Sequence, residues 1–177
     1  MRTLFDHLST YAAYHRDRRN IATHFVGVPM IVVGILTALA RPTLAVHGLP
    51  LSPAVLLFAL GLAFYFRLDL RFGLAMTAVM TPALWLGMWL AHDAGLSWMI
   101  SAGGLFFVGW LIQFVGHAYE GRKPAFVDDI AGLLVGPLFV MAETAFALGL
   151  CTELRARIED AVGPTGIRTG QEPLATR

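Results

Sequence analysis

The sequence predicts an all-α fold, a polytopic membrane helix bundle. Only 14% of the 177 residues are charged and the mean hydropathy is +0.65, whereas roughly 25% of residues are charged in an ordinary soluble domain. Four stretches contain no Asp, Glu, Lys or Arg, namely residues 20–40, 42–66, 72–92 and 94–119. Each is longer than the about 20 apolar residues that a helix needs to cross the hydrocarbon core.

Prolines, arginines and short polar turns predict where the helices begin and end. Residues 3–19 form an amphipathic segment that ends in an arginine cluster, which predicts an N-terminal interfacial helix. Four spans are then predicted. The first covers Ile21–Ala40, the third covers Phe72–Leu90 and the fourth covers Leu96–Gly116. The second has its start bracketed by Pro50 and Pro53 and ends at Arg67. Small residues on these spans are compatible with a homo-oligomer.

A fifth apolar segment runs from Ile130 to Leu150 and is interrupted by Gly136, Pro137 and Glu143. These interruptions predict a broken or re-entrant helix, so the total is four to five transmembrane or re-entrant helices. Residues 1–151 are expected to form a single integral-membrane domain. Residues 152–177 are expected to form a polar C-terminal tail, with a short surface helix followed by disorder.

Arginine and lysine are concentrated in the loops of one side, which predicts a cytoplasmic N-terminus. This side carries the residues Arg2, Arg16, Arg18, Arg19, Arg67, Arg71, Arg122 and Lys123, whereas the opposite loops carry Arg41. The same bias favours a cytoplasmic C-terminus, with 130–150 as a re-entrant hairpin.

Charge and cysteine usage exclude several classes of function. A formal net charge of +1 without a basic tract predicts no nucleic-acid partner. The single cysteine, Cys151, excludes an intrachain disulfide framework and a thiolate-rich metal site. The motifs of nucleotide binding and serine hydrolysis do not occur in the chain.

Histidines indicate where the chemistry lies. Among the six histidines, four approach the predicted cytoplasmic side, namely His7, His15, His24 and His117, whereas His47 and His92 lie in the opposite loops. Imidazole is the commonest metal-ligating side chain, and two or three histidines with open coordination positions suit iron(II), zinc or copper. Polar groups at membrane depth are costly and favour a functional interpretation.

Helical spacing refines the candidate site. Gln113, His117 and Glu120 share one face at i, i+4 and i+7, and Asn20 shares a face with His24. His15 and His24 are nine residues apart, which places them on opposite faces of a straight helix. They can converge only if the chain breaks between the interfacial helix and the first span, and Arg16–Asn20 is the predicted place.

Two separated motifs carry a resemblance to a known family. The first is Tyr14-His15-(x4)-Asn20-(x3)-His24-(x2)-Gly27-(x)-Pro29, and the second is Trp110-(x2)-Gln113-(x2)-Gly116-His117-(x2)-Glu120-(x3)-Pro124-Ala125. Together they resemble the iron-dependent 2-hydroxy fatty acid dioxygenases, small multipass membrane enzymes. The resemblance covers about residues 5–150. It implies α-oxidation, in which O2 and a 2-hydroxy fatty acid give a fatty acid one carbon shorter.

The resemblance also implies roles for individual residues. His15, His24 and His117 are the expected ligands of Fe(II), with Glu120 as a fourth ligand or as a partner that orients one. Asn20 and Gln113 are expected to bind ligands or substrate by hydrogen bonds, and Arg16 or Lys123 to meet the substrate carboxylate. Glu120 has an alternative, an ion pair with Arg122 or Lys123. The implied location is the cytoplasmic membrane of a bacterium or the endoplasmic reticulum of a fungus.

Two other functional classes stay open at this point. A diiron hydroxylase or desaturase would need many more histidines than this chain has. A non-enzymatic membrane lipid carrier or interaction protein would use the histidines for packing or proton relay, and it would have no reason to hold stoichiometric iron.

Overall fold

A computed structural model describes residues 2–46, 49–92, 95–122 and 132–167 of the chain. These residues form the helices α1 (Leu4–Ala12), α2 (Arg18–Leu39), α3 (Pro53–Leu68), α4 (Leu70–Leu90), α5 (Leu96–Glu120), α6 (Gly132–Ala147) and α7 (Thr152–Val162). A short antiparallel hairpin, β1 (Leu44–Val46) and β2 (Leu49–Leu51), lies between α2 and α3. The predicted helix bundle is confirmed, with the hairpin as an addition.

Short polar side chains begin the helices. Thr3 and Asp6 form a capping box at α1, in which the backbone N–H of Asp6 donates to Oγ1 of Thr3 over 3.2 Å. Asp17 caps α2 by accepting from the N–H of Arg19, and Asp69 caps α4 by accepting from the N–H of Phe72. Each cap satisfies an N–H group that the first helical turn leaves unpaired.

Within the described residues, three helices are individually long and apolar enough to cross a membrane: α2, α4 and α5, with 22, 21 and 25 residues. The second predicted span is shorter than the charge-free stretch 42–66 suggests. Its helix, α3, has 16 residues and reaches only about 24 Å at 1.5 Å per residue. The first part of that stretch contains Pro42 and Pro50, which disfavour helix, and it contributes the hairpin instead.

The fifth apolar segment breaks after Ala147 rather than at its predicted interruptions, since Pro137 and Glu143 lie within the continuous helix α6. The axes of α6 and α7 differ by 115° across a short break. The C-terminal half of α6 lies near the end of α5, because Glu143 lies 4.0 Å from Arg16 and Arg16 also contacts Glu120. The bend between α6 and α7 is that of a broken span or of a re-entrant loop. The predicted beginning of the segment at Ile130 lies outside the described residues.

Close approach of α2 and α5 depends on glycine. A Cβ atom at Gly34 would lie 2.8 Å from the backbone nitrogen of Phe106, and one at Gly109 would lie 2.9 Å from the carbonyl oxygen of Gly27. Such distances are shorter than a side chain tolerates, so the two backbones can meet only where Cβ atoms are missing. This close contact holds α2 and α5 side by side, and with them His24 of α2 and His117 of α5.

The N-terminal helix is covered by the end of the chain. Leu8 of α1, Phe139 of α6 and Ile158 of α7 are buried in one apolar cluster. The predicted surface helix after Thr152 therefore corresponds to α7, and it packs on the bundle rather than extending from it. Residues 168–177, the expected disordered end, lie outside the described residues, and the domain boundary at residue 151 stays a prediction.

Replacing Gly109 tests the contact between α2 and α5. Gly109→Ala would place Cβ 2.8 Å from Cγ1 of Ile31, and such overpacking costs about 1–3 kcal/mol of unfolding free energy. We expect a lower apparent Tm in detergent. Gly104→Ala, on the same helix, is the control because nothing lies within 4 Å of its added Cβ. Equal Tm values for the two variants would contradict the close contact.

Candidate metal centre

Three buried imidazoles meet where α1, α2 and α5 come together. One ring nitrogen of each of His15, His24 and His117 lies within 4.8 Å of the others. The ring centroids are 4.4 Å apart for His15 and His24, and 4.9 Å apart for His15 and His117. We call these three side chains the histidine cluster. Its members are at most 6% exposed.

The predicted break in the chain brings His15 to the cluster. Helix α1 ends at Ala12 and α2 begins at Arg18, with Asp17 as its N-cap. The chain between them turns, so His15 is freed from the helical phase that would set it opposite His24. His24 and His117 face each other because α2 and α5 pack directly, with ring centroids 5.4 Å apart.

Hydrogen bonds fix which ring nitrogens are available. Nδ1 of His15 lies 2.7 Å from the carbonyl oxygen of Tyr11, and Nδ1 of His24 lies 2.8 Å from that of Asn20. A carbonyl oxygen only accepts, so each Nδ1 carries the hydrogen and each Nε2 keeps a lone pair. Backbone carbonyls orient many metal-ligating histidines in this way.

Two nitrogens of the cluster are buried with no hydrogen-bond partner among the described residues, Nε2 of His15 and Nδ1 of His117. An unsatisfied buried nitrogen is costly unless something binds it. Burial, and next the neighbouring imidazole of His24, hold the pKa of His15 well below its usual range. A neutral imidazole has the lone pair that a metal ion requires, so the residues fit a metal ion.

The structure gives Glu120 a position beside the cluster rather than among its nitrogens. Its carboxylate accepts hydrogen bonds from the backbone N–H of Arg16 at 3.0 Å and of Asp17 at 2.8 Å, and from Nδ2 of Asn20 at 3.2 Å. These donors lie at the turn between α1 and α2. The contacts therefore fix the turn that carries His15.

Arg16 is buried and engaged with the protein. Its Nε donates to the carbonyl oxygens of Ala12 and His15, and its Nη1 donates to that of Gly163 at 3.0 Å. Its Nη2 lies 4.0 Å from Glu143. These contacts attach the segment after α7 to the turn, whereas sequence reasoning expected Arg16 to meet a carboxylate at the membrane interface.

The predicted amide residues lie near the cluster. Oδ1 of Asn20 and both polar atoms of the Gln113 side chain are buried without a hydrogen-bond partner in the described part of the chain. The side chain of Gln113 lies against α2 at Gly27. A Cβ atom added to Gly27 would lie 2.6 Å from Nε2 of Gln113. Lys123, the remaining predicted substrate residue, lies outside the described residues.

An apolar groove that is partly open to its surroundings adjoins the cluster, and the about 540 Å³ of space between its lining residues includes open space. We call it the acyl groove. It is lined by Tyr11, His24, Val28, Ile31, Val32, Ile35, Trp110, Gln113, His117, Gly132, Leu133, Gly136 and Pro137. The lining side chains with polar atoms are those of Tyr11, His24, Trp110, Gln113 and His117, and the rest are apolar, so the groove suits a long apolar molecule with a polar head.

Sequence reasoning assigned no site role to Tyr11. Its ring stacks on that of His15 with centroids 4.2 Å apart and an angle of 4° between the planes. Burial raises the pKa of its hydroxyl, which therefore keeps its proton. The signal in the sequence is the i, i+4 spacing of Tyr11 and His15, which also describes an ordinary apolar stripe.

Comparison with known proteins agrees with the geometry. Residues 1–148 match the family described as 2-hydroxy-palmitic acid dioxygenase Mpo1-like. The chain belongs to the Mpo1-like family. It is 33% identical over 154 residues to the 2-hydroxy-palmitic acid dioxygenase MPO1 of Saccharomyces cerevisiae, which covers 86% of this chain and 85% of the yeast protein. No solved structure matches this Mpo1-like chain.

Glu120→Gln separates a positioning role from a metal-ligand role. The glutamine amide would keep one accepting oxygen, but its NH2 group would face the N–H donors that the second carboxylate oxygen accepts from. This mismatch costs about 1–3 kcal/mol of unfolding free energy. We expect the variant to have a lower apparent Tm in both metal-loaded and metal-free protein. Glu153→Gln, at an exposed position of α7, is the control. A loss of stability confined to the metal-loaded protein would identify Glu120 as a ligand instead.

Proposed function

We propose that this protein is an Fe(II)-dependent dioxygenase that converts 2-hydroxy fatty acids into fatty acids one carbon shorter. The observation that carries the proposal is the histidine cluster, two of whose imidazoles line an apolar groove. Membership of the Mpo1-like family supports the reaction, because the yeast relative is named a 2-hydroxy-palmitic acid dioxygenase.

We assign the metal to Nε2 of His15, Nε2 of His24 and one ring nitrogen of His117. Three neutral ligands leave the positive charge of Fe(II) intact and leave coordination positions open for other molecules. Bound Fe(II) would supply activation of O2 and Lewis-acid binding of the hydroxy carboxylate. The chain's own contribution is to hold the imidazoles of His15 and His24 in the correct tautomer, through the carbonyl oxygens of Tyr11 and Asn20.

The acyl chain would lie in the acyl groove, where α2, α5 and α6 provide an apolar wall. The unpaired amide of Gln113 would bind the polar head of the substrate by hydrogen bonds. We assign this contact to Gln113 rather than to Arg16, because the guanidinium of Arg16 already donates to carbonyl oxygens. Asn20 would act through Glu120 and the turn that both residues fix.

The electrons of the reaction balance without another reductant. Conversion of a 2-hydroxy acid into CO2 and an acid one carbon shorter releases four electrons, and O2 accepts four. The products are the shortened acid, CO2 and one water, which together contain all five oxygen atoms of the 2-hydroxy acid and O2. The proposal therefore requires the fatty acid and O2 as the two substrates, and it needs no site for a nucleotide cofactor.

The distribution of arginine supports a cytoplasmic location for the site. The turn between α1 and α2 carries Arg16, Arg18 and Arg19, and it lies at the same end of the bundle as the histidine cluster. Positive residues at the ends of spans favour the cytoplasmic side. The acid would then reach the site from the cytoplasmic half of the bilayer.

Metal content and turnover on one sample test the proposal. Protein purified anaerobically in detergent should hold about one iron per chain and should convert 2-hydroxyhexadecanoic acid and O2 into pentadecanoic acid. His117→Ala should lose the iron and lower turnover at least about 100-fold, since even residues that only support a ligand are worth about 10–100-fold. His92→Ala, in the turn after α4, is the control and should keep both.

Two other outcomes are informative. Bound iron without product from this acid would keep the metal site and contradict the substrate. A folded protein that binds no metal and cannot be reconstituted with Fe(II) would contradict the enzyme and favour a lipid carrier.

A further inference from the structure

The hydroxyl of Tyr11 is a polar group with no hydrogen-bond partner among the described residues. Tyr11 is 9% exposed and lines the acyl groove. No hydrogen bond from its hydroxyl to any described residue is present, whereas the hydroxyl of Tyr65, the other deeply buried tyrosine, donates to the carbonyl oxygen of Leu134 at 2.9 Å. The hydroxyl is not among the fully buried unpaired atoms of the described residues, so it is accessible from the groove, and a tyrosine hydroxyl in apolar surroundings usually has a partner. The partner of Tyr11 is therefore expected to be a molecule in the groove.

The surroundings hold the Tyr11 ring in place. One face stacks on His15 at 4.2 Å, and the ring of Phe139 lies 5.0 Å away. Opposite the hydroxyl, α6 presents Gly136, and a Cβ atom there would lie 3.2 Å from the hydroxyl oxygen. Glycine thus leaves the hydroxyl room on the side that faces the groove. A polar group fixed beside the metal-binding imidazoles has the position of a substrate contact.

We propose that Tyr11 is a substrate-binding residue whose hydroxyl donates a hydrogen bond to a carboxylate oxygen of the fatty acid. This inference rests on the proposed function, since it takes its substrate class from it. A carboxylate in an apolar groove needs donors, and the buried guanidinium nearest the cluster, that of Arg16, is already bonded to carbonyl oxygens. Tyr11 and Gln113 are lining residues whose side-chain donors have no hydrogen-bond partner among the described residues, and together they would hold the acid head against the histidine cluster.

Tyr11→Phe removes the oxygen alone and keeps the ring that stacks on His15. The iron-loaded variant, kept anaerobic, should bind 2-hydroxyhexadecanoic acid about tenfold more weakly, which is typical of a lost hydrogen bond to a charged group. Its iron content should not change. Binding of 1,2-hexadecanediol, which has the same chain and no carboxylate, should change less than about threefold. Tyr119→Phe, at an exposed position near the end of α5, removes the same atom and should change neither affinity.

Gly136→Ala tests the same contact from α6. Its added methyl group would crowd the hydroxyl, so it should weaken binding of the acid in the parent protein and weaken it less in the Tyr11→Phe background. Such non-additivity is expected only when two changes act through one contact.

Each failure has a separate meaning. Unchanged affinity of Tyr11→Phe for the acid, in a preparation whose parent protein binds and converts it, would overturn the role of Tyr11 and leave the proposed function standing. Loss of iron in Tyr11→Phe, or equal weakening for the acid and the diol, would show that Tyr11 supports the site structurally and would also overturn the role. A parent protein that holds iron but neither binds nor converts the acid would overturn the proposed function and this inference together.

Discussion

One buried carboxylate fixes the geometry on which the histidine cluster depends. Glu120 ends α5 and accepts hydrogen bonds from the backbone N–H of Arg16 and Asp17, about 100 residues earlier in the chain. Its negative charge lies at the N-terminus of α2, where a helix dipole stabilises an anion. The turn held in this way projects His15 toward the imidazoles of α2 and α5. Without the carboxylate, buried N–H groups would lose their partner and His15 would lose its fixed position.

Other contacts of the bundle also position the histidine cluster. Glycines at Gly27, Gly34 and Gly109 let α2 and α5 approach, and this approach brings His24 to His117. On the far side of the turn, the segment after α7 is hydrogen-bonded to it, because the N–H of Gly166 donates to the carbonyl oxygen of Arg16 at 3.0 Å. The cluster is therefore positioned by segments from the N-terminal and the C-terminal parts of the chain. The acyl groove lies beside the cluster, and Gly132 and Gly136 of α6 line it.

Local patterns predicted the parts of this protein that depend on local physics. Charge-free stretches predicted the long helices, and the 100° step per residue predicted that His15 and His24 need a break between them. Pro50 and Pro53 predicted where α3 begins, but the charge-free stretch 42–66 alone would have made it too long, since its first part contributes the hairpin. The contacts of Glu120 and Arg16 at the turn could not be predicted, since most of their partners are backbone carbonyl and N–H groups, although a supporting position beside the ligands was one alternative predicted for Glu120. Tyr11 was missed because a stripe of apolar positions on α1 explains it equally well.

X-ray absorption at the iron edge of the anaerobic Fe(II) protein, before and after addition of 2-hydroxyhexadecanoic acid, tests the central claim most directly. A three-histidine Fe(II) centre should show nitrogen and oxygen ligands alone. The scattering from three imidazoles should persist when the acid is added, while the remaining ligands change. Scattering from fewer imidazoles, or a spectrum that the acid leaves unchanged, would contradict a three-histidine centre that binds the head of the fatty acid.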